Sequence, residues 1–142
     1  MNQWFNKYTD IPYKLFGTDP TIGMDCFTLL CYVFKEEAGV KIPYTSSDFL
    51  KMVDDQWFTK THEQHFLNGS KNGDWVEIDM LQPYDLILMC LGSTNVVNHV
   101  AMYVGNNKIL QMIENRDSAI YDYHKYFRQY TVKKVRWKSL VN

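Results

Sequence analysis

Apolar residues crowd the stretch CFTLLCYVF at positions 26–34 so densely that almost no polar face remains. Such a run predicts a helix buried nearly all round. Asp25, just before it, can accept the free amide hydrogens of a first turn. Gly39 offers a left-handed stop with Pro43 beyond, so the helix is expected from Asp25 to Gly39. Phe49, Leu50, Val53 and Trp57 recur at helical spacing behind a serine cap and predict a second helix from Ser46 or Ser47 to about Phe58. Residues 59–74, with Asn68-Gly69 and Asn72-Gly73, read as loop with room for one helical turn. After them the period changes to two. WVEIDM, DLILMCL, NHVAMYV, KILQMI and YTVKKVRW are strand-like runs divided by turn residues, with Tyr121 to Gln129 as a short helix or irregular link before the last. Residues 1–25, punctuated by Pro12, Gly17, Pro20 and Gly23, read as turns and short helical pieces wrapping the first helix. Helices first and strands afterwards, joined by short connections, imply an α+β domain with an antiparallel sheet.

The chain has 142 residues, 46% of them hydrophobic and 15% aromatic, enough for one substantial core and too few for two ordinary domains. Residues 1–142 are therefore expected to form a single domain. A net charge of −1 gives no basic face of the kind that nucleic acid requires. The charge is uneven, however: Lys125, Arg128, Lys133, Lys134, Arg136 and Lys138 occur beyond residue 124 without any acidic neighbour. A solvated strand and helix face is expected there, ahead of a docking surface for an anionic polymer or an acidic protein partner. The three cysteines, Cys26, Cys31 and Cys90, are an odd number without a Cys-x-x-Cys pair, which argues for free thiols rather than a disulfide framework or a thiolate zinc site. No metal or organic cofactor is expected. The N-terminal run MNQWFNKYTD lacks the pattern of a signal peptide, and no segment approaches the ~20 apolar residues of a membrane span, so neither secretion by that route nor membrane insertion is expected.

Of the three thiols, Cys26 alone falls in a first helical turn, where unpaired amides and the helix dipole favour an anion. It is expected to be the acidic one, alkylated well below pH 8 and ahead of Cys31 and Cys90. His99 opens an apolar strand, and Gln111 lies on the next. In VNHVAMYVGNNKILQMI the loop can hold two residues (Asn106, Asn107) or three (Gly105, Asn106, Asn107). With three, Val104 lies opposite Lys108 and Ala101 opposite Gln111, so His99 and Gln111 share a face as diagonal neighbours. With two they fall on opposite faces. The three-residue form, with Asn107 left-handed, is the expected one. Gln111 would then fix the imidazole tautomer without adding charge, which suits a cysteine nucleophile. His62 and His65 do not have the zinc-protease spacing. His124 reads as a surface residue, and Trp57, Trp75 and Trp137 as core or rim anchors.

The segment GMDCFTLLCYVFKEEAGVKIP resembles the nucleophile region of the NlpC family of cell-wall cysteine peptidases, where Gly-x-Asp-Cys precedes a buried helix. LQPYDLILM is similar to the family's strand beginning Leu-x-Pro-Gly-Asp. NHVAMYVGNNKILQ is similar to its His-Val-Gly-Ile-Tyr-Val-Gly-Asn-Gly block. The resemblance implies a papain-like α+β fold with Cys26 as nucleophile, His99 as base and Gln111 as third member. PYKLFG resembles the family's Pro-Tyr segment and makes Tyr13 a candidate hydroxyl near the thiol. Phe27-Thr28 replaces the usual Ser-Gly, and Tyr84 the usual glycine. The bulky residue at Phe27, together with KEEAGVKIP, looks most like the branch found among bacteriophage tail proteins. The implied activity is hydrolysis of amide bonds in peptidoglycan stem peptides, as a tail component aiding wall penetration or tail assembly. The implied partners are the stem peptide and other tail proteins, and the implied location is the virion, or the host cytoplasm before assembly. An inactive structural tail protein of the same fold and a bacterial amidase or acyltransferase are the alternatives.

Overall fold

The computed structural model describes residues 3–43, 73–92 and 97–141. The second helix expected at 46–58, most of the 59–74 loop, His62, His65 and Trp57 lie outside the described residues. A 3₁₀ turn at Trp4–Tyr8 is followed by a two-strand ribbon, β1 (Thr18–Asp19) and β2 (Gly23–Met24), and then by helix α1 (Cys26–Val33). Beyond them are β3 (Trp75–Glu77), β4 (Leu86–Met89), β5 (His99–Gly105), β6 (Lys108–Gln111), β7 (Ala119–Asp122), α2 (Lys125–Gln129) and β8 (Thr131–Trp137). The last six strands form one antiparallel sheet in the order β3-β8-β4-β5-β6-β7. This is the α+β arrangement expected from the period change.

Alternation sorts the sheet residues into two cores. Leu86, Leu88, Val100, Met102, Leu110 and Val135 pack with Leu29, Leu30 and Val33 of α1. Ile87, Met89, Ala101 and Ile109 face the other way, onto Tyr123 and Phe127 around α2. Because both faces are covered, all four residues of β4 are buried. Trp75 and Trp137 meet edge to face at 4.9 Å and anchor the β3–β8 margin against Phe34.

Three details differ from expectation. The first helix does run to Gly39, which is left-handed at φ 65°, but its last turn, Phe34–Ala38, widens into a π-helix. Both Gly39 and Val40 donate to the Phe34 carbonyl, and the displaced Glu37 accepts hydrogen bonds from Tyr8 at 2.5 Å and Lys7 at 2.7 Å. In the β5–β6 hairpin, Asn106 and Asn107, both at positive φ, form a two-residue turn closed by Gly105 opposite Lys108. A bulge between Tyr103 and Gly105 then restores the pairing of Tyr103 with Ile109 and Met102 with Leu110, which is the register of a three-residue loop. The extra residue lies in the strand rather than in the turn. Finally, β7 is a strand that the sequence pattern does not announce, since its residues show no alternation, while the short helix expected between Tyr121 and Gln129 is present as α2. The basic C-terminal residues are largely engaged within the fold. Arg136 forks onto Asp85, Lys138 bonds Asp74, and Arg128 reaches Asn107 and stacks over Tyr123.

Candidate active site

Cys26 is the first residue of α1, and Asp25 is its cap. One Asp25 oxygen accepts from the amides of Phe27 and Thr28, both at 3.0 Å, while the Thr28 hydroxyl accepts from the Asp25 amide at 2.9 Å, closing a capping box. The other oxygen accepts from the Phe16 amide at 2.8 Å. That bond ties the helix start to residues 12–17, which return along β2 through Met24 N–H to Pro12 C=O at 2.9 Å and Lys14 N–H to Met24 C=O at 2.8 Å. Gly17 permits the close approach: a Cβ there would lie 2.2 Å from the Gly23 carbonyl oxygen. Tyr13 is carried beside Met24 in the same way, half-buried. Burial pushes its hydroxyl pKa well up, and the charges of Glu114, Cys26 and Asp25 reinforce the shift, so the hydroxyl stays protonated and within electrostatic reach of the thiol.

His99 opens β5 and Gln111 closes β6, and both side chains are buried. Their side chains meet: Nε2 of His99 lies 2.8 Å from Oε1 of Gln111. An amide oxygen can only accept, so Nε2 carries the proton and Nδ1 is left as a free acceptor. The Gln111 amide nitrogen has no hydrogen-bond partner among the described residues. The Val100 amide, one residue beyond His99, donates toward the Cys26 sulfur, as do the amides of Cys26 and Phe27. The sulfur thus lies against the peptide joining His99 to Val100. The hydrogen bond the imidazole makes is the one to Gln111, and a thiol–imidazole bond is not among those of the described residues.

The electrostatics reverse one expectation. Burial, and then the Asp25 carboxylate, push the Cys26 thiol well up, against the weaker pull of the three backbone amides. The helix N-terminus acts in the expected direction and is outweighed. Cys31 is shifted the same way for the same two reasons, and Cys90 is raised by burial alone, so none of the three thiols is held acidic. Burial pushes His99 down to about 4, partly offset by Gln111. Thiol and imidazole are therefore both neutral at pH 7. The roles of Asp25 can be separated: Asp25→Ala should cost about 1 kcal/mol of stability through the lost cap, measured by denaturant titration. Asp25→Asn keeps an acceptor but removes the charge, and should move the pH dependence of Cys26 alkylation downward.

Ser118 has no counterpart in the expectations. It is buried, and its hydroxyl donates to Tyr8 C=O at 2.7 Å and accepts from Ile11 N–H at 2.9 Å, clamping the segment that leads to Tyr13 onto the start of β7. Its partners lie more than 100 positions away, so no local signal could have disclosed it. Among the described residues no group of three or more His, Cys, Asp or Glu is placed to hold a metal ion, and no helix is long and apolar enough to cross a membrane.

A cysteine at a helix start, set against an antiparallel sheet whose neighbouring strand begins with histidine, is the layout of a papain-like α+β fold. The NlpC/P60 family model matches residues 10–136, and the chain belongs to that family. Over 100 residues it is 27% identical to murein DD-endopeptidase MepH of Escherichia coli (strain K12), covering 70% of this chain and 30% of that protein. Over 90 residues it is 32% identical to tail tip assembly protein K of Escherichia phage lambda, covering 63% of this chain and 41% of the other. The chain thus spans less than half the length of either relative. In fold it is similar to the NlpC/p60 domain of the peptidoglycan hydrolase SagA, with a TM-score of 0.55 at 19% identity over 92% of this chain and 90% of that domain.

Proposed function

We propose that the protein is a cysteine peptidase that hydrolyses amide bonds in peptidoglycan stem peptides and works as a component of a phage tail. The observation that carries this reading is the buried His99–Gln111 pair, which leaves Nδ1 as an acceptor, beside Cys26 at the first position of α1. Family membership and the murein endopeptidase relative support the substrate class, and the lambda relative supports the tail. In this reading the Cys26 sulfur attacks the stem carbonyl as its proton passes to Nδ1 of His99. Gln111 holds the resulting imidazolium through Nε2–H. The Cys26 backbone amide, with the Tyr13 hydroxyl, holds the developing oxyanion. Collapse expels the amine, which takes the Nδ1 proton, and leaves a thioester. Water, deprotonated by His99, then releases the acid and restores the thiol.

A second reading, a structural tail protein that keeps the fold without activity, is favoured by the neutral, buried state of both reactive groups. Mass spectrometry of purified peptidoglycan after incubation separates the two. New stem-peptide termini are expected, and an unaltered product spectrum would leave the structural reading.

A further inference from the structure

The turn before β4 holds a side chain where the backbone disfavours one. In Gln82-Pro83-Tyr84-Asp85 the Asp85 amide donates to the Gln82 carbonyl at 3.0 Å, and Tyr84 has φ of 78°. This is the third position of a type II turn, where glycine is unstrained and a tyrosine costs about 1 kcal/mol or more. The surroundings hold it there. Buried Asp85 accepts from Arg136 Nε and Nη2, both at 2.7 Å, and from the Gln82 amide at 2.7 Å. Tyr84 N–H and Tyr103 C=O bond at 3.0 Å, and Tyr103 N–H and Asp85 C=O at 2.8 Å. The turn is thus clamped to β5 and β8.

What the strain achieves is the placement of a ring. Tyr84 packs against Trp4 with centroids 5.0 Å apart and planes tilted by 43°, and both rings are partly exposed. Lys7, on the same short helix as Trp4, and Glu37 lie beside them as an ion pair. Aromatic faces next to hydrogen-bonding charges suit a sugar ring, whose C–H face packs on the rings while its hydroxyls meet the polar rim. Tyr84 bonds β5 at Tyr103, four residues from His99 and hence ~13 Å along the strand. Two or three stem residues, at ~3.3 Å each, together with a sugar, span a similar length.

We propose that Trp4 and Tyr84 form a subsite for the glycan strand from which the stem peptide branches. This deepens the peptidase reading and rests on it for the choice of polymer. The test reads binding in a Cys26→Ala background, so that it does not depend on hydrolysis. Glycan strands stripped of their stem peptides are the probe, and co-sedimentation is the measurement. Tyr84→Gly removes the ring and relieves the backbone, so its thermal midpoint should stay within a few degrees of the parent while glycan binding falls tenfold or more. Tyr84→Phe should bind within twofold of the parent. Equal binding by Tyr84→Gly and parent, or no binding by the parent, would overturn the subsite. Failure of wild type to cut intact peptidoglycan would instead count against the peptidase reading.

Discussion

Cys26→Ala is expected to slow release of stem-peptide fragments from peptidoglycan by about 10⁴-fold or more, since removing a nucleophile leaves only binding and oxyanion stabilisation. The fold should survive. Cys26 is 6% exposed at the edge of the α1 core, so deleting one sulfur leaves a small void, worth about 1 kcal/mol and a few degrees of thermal midpoint. Cys31→Ala and Cys90→Ala should remain active, because Cys31 lies more than a turn into α1 and Cys90 just beyond β4, and neither is at the start of α1. Cys26→Ser should be nearly as inactive as alanine: the imidazole is backed by a neutral amide rather than a carboxylate, and is too weak a base for a hydroxyl. Measuring the masses of digestion products, with midpoints recorded alongside, decides the matter. Digestion by Cys26→Ala at the wild-type rate would remove the thiol from the chemistry.

The parts of this arrangement that were legible in the sequence are those fixed within a few positions of themselves. Asp25 caps α1 because its carboxylate reaches amides two and three residues on, and Gly39 ends the helical run because it alone there takes a left-handed φ without strain. The meeting of His99 with Gln111 follows from strand alternation once the hairpin register is right. The register was right although the turn was not, since an extra residue shifts alternation equally from a loop or from a bulge. Contacts between distant segments left no such trace. Asp85 and Arg136 lie 51 positions apart and Ser118 and Tyr8 110 apart, and nothing local marks either pair. The acidity expected of the Cys26 thiol is opposed for the same reason. A helix N-terminus is visible in sequence, but the burial that opposes it comes from the β5 and β2 regions folding around it.

Stability should fall steeply as pH drops from 6.5 toward 4, and His99 should account for much of the change. Its folded pKa of about 4 lies below the ordinary 6.5, so across that interval the unfolded chain binds a proton that the folded chain refuses. The stabilisation is therefore complete above pH 6.5 and is lost as pH falls through the folded value. A depression of that size corresponds to about 3 kcal/mol. Glu37, whose carboxyl the hydrogen bonds from Lys7 and Tyr8 hold below the usual range, weakens in acid with the same sign, so a single curve cannot assign the loss. The difference between wild type and His99→Gln isolates it: denaturant midpoints followed from pH 7 to pH 4 should show a shallower decline in the variant. Parallel curves would mean that the imidazole is not held neutral by burial. Gln111→Glu carries the argument one step further. A carboxylate facing Nε2 favours the imidazolium, so the His99 titration should move upward and its share of the acid loss should shrink. If Gln111→Glu leaves that titration unmoved, the 2.8 Å contact between the two side chains does not control the ring.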